Sequence, residues 1–236
     1  MFESPKHRIV FNALVSVTID FRFRGPHASG NGGYTCGVVA GLLDGPAEVT
    51  LRLPPPLDRP LRVERQKGRV EVWDGDALVA EAAPAELELD LPEPVPFELA
   101  AEAALPHGDP DSPFPECFVC GRDRHDGLRI FPGEVAGSEV VAAPWVPAAD
   151  TTSPEFVWAA LDCPGAYGSG AVGRGAVVLG RLAVRVEALP EPGERCVVLG
   201  WGLGEDGRKL LAGTALYGEG GRVLGFARAT WILPRA

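Results

Sequence analysis

The sequence predicts an α+β protein made mainly of antiparallel strands, with one short helix in each half. Three observations lead there. Short apolar alternations outnumber long helical patterns, so β-structure dominates. The 236 residues include 30 glycines and 23 prolines, enough for many turns. The same element order, strand then helix then several strands, is written twice.

The first half opens with an alternating run over residues 8 to 24, stopped by Gly25-Pro26. A helix is predicted next, in GNGGYTCGVVAGLLDG (residues 30–45), where Val38, Val39, Leu42 and Leu43 fall at helical spacing. Strands are expected at Ala47–Leu53, Arg62–Gln66, Gly68–Trp73 and Leu78–Ala82, with a hairpin turn at Asp74-Gly75. Residues 90 to 116 are rich in Pro, Glu and Asp and read as a linker containing a short Ala-rich turn.

In the second half, strands are expected at Gly127–Phe131 and Val140–Trp145. Ser153-Pro154-Glu155 opens a helix with an N-cap, a proline in the first position and an acid in the first turn. That helix is expected to run to Cys163-Pro164-Gly165. Strands then follow at Ala176–Glu187, Arg195–Gly202, Lys209–Tyr217 and Val223–Ile232, with Gly220-Gly221 as a turn. Leu43-Asp44 recurs as Leu161-Asp162, half the chain length away. Asp44 adjoins Gly45-Pro46 and reads as a helix-end turn residue.

A helix inside the curve of an antiparallel sheet is the hot-dog arrangement. The glycines of the first helix fit it. Gly33, Gly37 and Gly41 lie four apart on one face, where a sheet could come close. Each costs about 0.5–1 kcal/mol relative to alanine, which close packing must offset. The full expectation is a double hot-dog: two antiparallel curled sheets, joined, each wrapped around one helix. The helices near 33–43 and 154–163 would lie side by side. Residues 1–100 would form the N-terminal module, 101–116 a linker and 117–236 the C-terminal module.

Asn31-Gly32-Gly33-Tyr34 before a small-residue helix resembles the NGGY segment of double hot-dog, acyl-CoA thioesterase-like proteins. Residues 54–82, PPPLDRPLRVERQKGRVEVWDGDALVAEA, resemble the first-half sheet of the same proteins. Cys117-Phe-Val-Cys120-Gly with Gly127-Leu128 resembles the start of phenylacetate-type hot-dog thioesterases, and Ala160-Leu-Asp-Cys-Pro-Gly165 their helix with its catalytic acid. The resemblance implies hydrolysis of an acyl-CoA or related thioester between the two halves, without a cofactor. In bacterial double hot-dog thioesterases the second-half Asp works with a Thr or Ser and a Gln. This chain matches neither, and its only glutamine is Gln66, in the first half. A non-catalytic acyl- or lipid-binding protein therefore stands as the alternative. A hydratase would want an Asp–His pair on a helix, and neither helix contains histidine.

Thioester hydrolysis needs donors for the developing oxyanion, an attacking group and an acyl cleft. The N–H groups of Gly32 and Gly33 at a helix start offer the donors, with Asn31 as cap. Asp162, expected near the end of an apolar helix, offers the carboxylate, as general base or nucleophile. His27 is a candidate substrate or phosphate contact, and Tyr34 and Trp158 are candidate tunnel walls. Cys117, Cys120 and His125 mimic part of a zinc site, but His107 is unconvincingly spaced as a fourth ligand. No metal is expected, and Cys36 and Cys163 lack a nearby histidine base in the sequence.

The formal net charge of −10 disfavours nonspecific binding to nucleic acid or anionic membrane. No signal-peptide cleavage pattern is seen, and the five cysteines read as reduced thiols. The expected setting is cytoplasmic. The expected partner is an acyl thioester, with a homodimer formed by sheet-edge pairing as a further expectation.

Overall fold

The computed structural model describes residues 15–235. In chain order the elements are β1 (Ser16–Val17), α1 (Gly32–Ala40), β2 (Ala47–Leu51), β3 (Leu61–Gln66), β4 (Arg69–Asp74) and β5 (Ala77–Pro84). There follow α2 (Phe97–Ala103), β6 (Gly133–Glu134), β7 (Val141–Trp145), α3 (Pro154–Ala160) and α4 (Cys163–Gly168). The chain ends with β8 (Val178–Val186), β9 (Cys196–Asp206), β10 (Lys209–Tyr217) and β11 (Val223–Ile232).

The two expected sheets are one. Among the described residues, eleven strands form a single antiparallel sheet in the order β1-β3-β4-β5-β2-β8-β11-β10-β9-β7-β6. The duplicated order is visible within it. Numbered from its own first strand, β1–β5 is arranged 1-3-4-5-2, and so is β7–β11. The runs meet where β2 pairs β8, from Ala47 opposite Val184 to Thr50 opposite Arg181. A β-ladder satisfies backbone groups on both strands there, which continuity requires.

Strand alternation gives the sheet two apolar faces. Along β10, Leu210, Ala212 and Leu216 join the larger core with the residues of α1 and α3, whereas Ala215 and Tyr217 join a second cluster on the other side. Helix α2, inside the segment expected as a linker, covers that second face through the fully buried Ala100. The Tyr217 hydroxyl donates to the Pro92 carbonyl, pinning the approach to α2.

Several expected elements differ. The run over 8–24 falls partly outside the described residues. Inside them only β1 is a strand, and Phe21–Phe23 form a 3₁₀ turn capped by Asp20. Residues Gly127–Phe131 form no strand, and Arg129 there has φ 55°. The helix expected to reach Cys163 breaks at Leu161-Asp162, and Cys163-Pro164-Gly165 starts α4 instead of ending α3. Proline is suited to a first helical turn, where its missing N–H costs nothing.

The glycine face of α1 packs against a helix, not the sheet. A Cβ on Gly33 would lie 2.4 Å from Asp162 Cβ and 2.8 Å from the Trp158 carbonyl oxygen. One on Gly37 would lie 2.7 Å from Glu155 Cα. Gly33 and Gly37 therefore admit α3 to the backbone of α1, while at Gly41 a Cβ would meet only the helix's own carbonyls at 3.5 Å. Gly32 is the glycine that faces the sheet, with Leu179 Cβ of β8 at 2.9 Å. The helix lodged against β9 and β10 in the second half is α4, not α3. There a Cβ on Gly200 would meet the Pro164 carbonyl at 2.0 Å.

Candidate active site

The α1 start and the α3–α4 break meet at Asp162. Asn31 is the N-cap of α1, its Oδ1 accepting the Tyr34 N–H at 2.8 Å. Its Nδ2 donates to Asp162 Oδ2 at 2.9 Å. The Gly33 N–H donates to the same oxygen at 2.9 Å. Asp162 itself sits between helices at φ −80°, ψ −82°. The break leaves the Leu161 carbonyl free of a helical partner, and the buried Thr214 hydroxyl of β10 donates to it at 2.8 Å. Thr214 thus satisfies the backbone at the break, and no local pattern in the sequence distinguishes it from any other strand threonine.

Asp162 is 2% exposed, and among the described residues its Oδ1 has no hydrogen-bond partner. Desolvation by burial raises its pKa from 3.8 to about 7; the Gly33 N–H and the Asn31 amide pull the other way, while Cys117 adds to the rise. A carboxyl in this state can hold or release a proton near neutrality.

This cluster forms part of the wall of a cavity of about 810 Å³. Asn31, Gly32, Cys117, Asp162 and Cys163 contribute to one region, and Leu51, Phe114, Leu179 and Trp231 supply apolar walls. The size and apolar character suit a ligand of substantial length. Among the described residues, the Gly32 N–H has no acceptor.

Of the residues singled out from sequence, Asn31, Gly32, Gly33 and Asp162 come together. Their roles divide differently from the expectation. The Gly33 N–H is occupied by Asp162 Oδ2, so of the two glycine amides only that of Gly32 is available to a ligand oxygen. The other three stand away from the cavity wall. His27 is exposed on the surface, its Nδ1 2.6 Å from Glu116 Oε2, and faces solvent rather than the cavity. Tyr34 stacks on Phe23 at 3.9 Å between centroids, in a cluster with Phe118 and Phe156. Trp158 is buried in the α1–α3 contact. Both aromatics pack the core rather than line a tunnel.

Sequence reading missed the meeting of cysteines. Cys117, Cys120 and Cys163 are all buried, and their sulfurs lie within 4.8 Å of one another. His125 and His107 are not in the group. The Cys-x-x-Cys spacing was the available signal; Cys163, 43 positions beyond Cys120, carried none.

No family model and no curated protein matches this chain. Solved structures do. A candidate thioesterase II of Thermobifida fusca superposes with a TM-score of 0.63 at 14% identity, covering 93% of each chain. A protein of unknown function with a hot-dog fold from Alicyclobacillus acidocaldarius gives 0.60 at 11% identity over 96% of each. The acyl-CoA thioesterase II TesB2 of Mycobacterium marinum gives 0.54 at 14%, covering 86% of this chain and 90% of its own. At such identities the likeness shows the fold: this chain carries a hot-dog fold, shared with structures named as thioesterases.

Proposed function

We propose that the chain hydrolyses an acyl-CoA or a related thioester, as a double hot-dog protein with modules at residues 1–100 and 117–236 joined by 101–116. The observation that carries this reading is the state of Asp162: one oxygen held at 2.9 Å by both Asn31 Nδ2 and the Gly33 N–H, the other without a partner, on a cavity wall. A buried carboxylate is costly, and a half-satisfied one more so. Asn31 and Gly33 offset part of that cost at Oδ2 and nothing among the described residues offsets it at Oδ1, which fits a group kept for chemistry.

In this reading the thioester carbonyl accepts the Gly32 N–H, at the positive end of α1. The acyl chain lies along Leu51, Leu179 and Trp231. Asp162 Oδ1 takes a proton from water as it attacks the carbonyl carbon, and the thiolate of the carrier leaves and is protonated. Oδ2 stays on Asn31 and Gly33 and fixes the carboxylate plane. The named function of the structural relatives supports the substrate class.

The non-catalytic acyl-binding reading has its own observation. Gln66 is exposed on β3 and is not among the cavity-lining residues, so no glutamine stands by Asp162 to position water. The two readings part on one assay: purified protein with acyl-CoAs of graded chain length, following release of free thiol. Cleavage supports the hydrolase. Acyl chains that bind without thiol release support the binding protein.

A further inference from the structure

Three sulfurs converge beside Asp162 with no role in the chemistry above. Cys117 and Cys120 come from one tight turn before β6, and Cys163 from the start of α4. The turn is built to close. The Gly121 N–H donates to the Cys117 carbonyl at 2.7 Å, and a Cβ on Gly121 would lie 2.4 Å from that oxygen and 2.6 Å from the Pro115 carbonyl oxygen. Only glycine fits. Asn31 Nδ2 donates to the Cys117 sulfur at 3.6 Å. An amide N–H directed at a sulfur suits a thiolate better than a thiol.

The spacing of the sulfurs is informative. Cys117 Sγ and Cys163 Sγ are 3.8 Å apart, and all three lie within 4.8 Å of one another. In a tetrahedral zinc site with Zn–S bonds of about 2.3 Å, two sulfurs stand about 3.8 Å apart. The three side chains come from two segments 43 positions apart, so chain proximity does not explain their convergence. On the same cavity wall stands Asp162, the residue next to Cys163, whose buried Oδ1 has no hydrogen-bond partner among the described residues. All four residues line the cavity.

We propose that Cys117, Cys120 and Cys163 bind a thiophilic divalent cation of the zinc class, with its fourth position open to the cavity. Thiolates are the ligands that select such an ion over magnesium or calcium. Three protein ligands with an accessible fourth position is the pattern of a site that takes up a water or a substrate atom, whereas a purely structural zinc is closed by four. The site ties the Cys-x-x-Cys turn to the α3–α4 break and so fixes the segment that carries Asp162. The proposal does not depend on the thioesterase reading.

The test uses the full chain, reduced and stripped with a chelator, then titrated with cobalt(II) chloride. The expected result is one cobalt per chain, with thiolate-to-cobalt charge-transfer absorption. Cys120→Ser and Cys163→Ser should each lose one thiolate's share of that absorption, while Cys196→Ala, on β9 and outside the cluster, should retain all of it. Should the serine variants fail to fold, zinc-edge X-ray absorption on the zinc-loaded wild type reads the site directly, with three sulfurs at about 2.3 Å expected. The proposal is overturned if the reduced wild type takes up no cobalt. It is also overturned if Cys117→Ser keeps the full charge-transfer absorption, or if the zinc shell holds only nitrogen and oxygen.

Discussion

The Gly33 N–H meets Asp162 Oδ2 at 2.9 Å, and the same glycine has no room for a side chain, because its Cβ would fall 2.4 Å from Asp162 Cβ. Hydrogen bond and absent side chain are one device: the carboxylate reaches the start of α1 only because residue 33 is glycine. Gly33→Ala should therefore push Asp162 off its donors despite the better helix propensity of alanine. The expected cost is about 1–3 kcal/mol, read as a lower melting temperature, together with reduced thioester hydrolysis. A melting temperature at or above wild type would show that the α1–α3 contact relaxes freely.

Gly37 and Gly41 make a matched pair on the same helix. At Gly37 a Cβ would strike Glu155 Cα at 2.7 Å, so Gly37→Leu should destabilise by about 1–3 kcal/mol. Gly41 closes the helix at φ −60° with only its own carbonyls nearby. Gly41→Ala should be neutral or stabilising by up to about 1 kcal/mol. Thermal melts of the two variants side by side decide it, and equal effects would contradict the helix–helix packing.

Asn31 has two tasks, capping α1 through Oδ1 and holding Asp162 through Nδ2. Asn31→Ala removes both and leaves a buried carboxylate oxygen with one donor. The expected loss is about 1–3 kcal/mol, more than the roughly 1 kcal/mol of an ordinary cap. Asn31→Ser keeps a capping oxygen but cannot reach as far, so it should fall between. If serine fully restores the melting temperature of wild type, the bond to Asp162 contributes nothing to stability.

Glu194 carries a pH dependence away from the site. Desolvation disfavours its charge, but the Glu191 and Glu219 N–H groups and Arg222 outweigh it and hold its pKa below the usual carboxylate value. A depressed folded pKa means stability present above the unfolded value, near 4.3, and lost as pH falls through the folded one. Wild type should thus lose more stability between pH 6 and pH 3 than Glu194→Gln does, a window set at about the carboxylate range. Parallel acid-melting curves would count against this account.

Periodicity and turn chemistry were enough to place most strands. β10 and β11 occupy the expected residues, and the Asp74-Gly75 and Gly220-Gly221 turns are where positive-φ glycines stand. The duplicated order was legible because each half repeats its own local pattern. What failed was anything set by distant partners. The glycine spacing in α1 said that something approaches, and α3 rather than the sheet is what does. At the Leu161-Asp162 break, the hydroxyl that takes up the Leu161 carbonyl belongs to Thr214, 53 positions away. Asn31, Gly32, Gly33 and Asp162 could be named as one candidate site through resemblance, but that Asp162 itself occupies the Gly33 amide could not. Tyr34 and Trp158 were misread because an aromatic beside a site looks the same in sequence whether it lines a cavity or fills a core.

The central claim is that Asp162 acts on a thioester, and Asp162→Asn tests it most directly. Asparagine can keep an oxygen facing Asn31 and Gly33 while an amide nitrogen replaces Oδ1, so shape and ligand binding should survive. The measurement is kcat and KM for the best acyl-CoA substrate, wild type beside the variant. The account predicts a fall in kcat of about 10²–10⁴-fold with KM little changed, because a base acts mainly in the transition state. Equal kcat in the two proteins would contradict it.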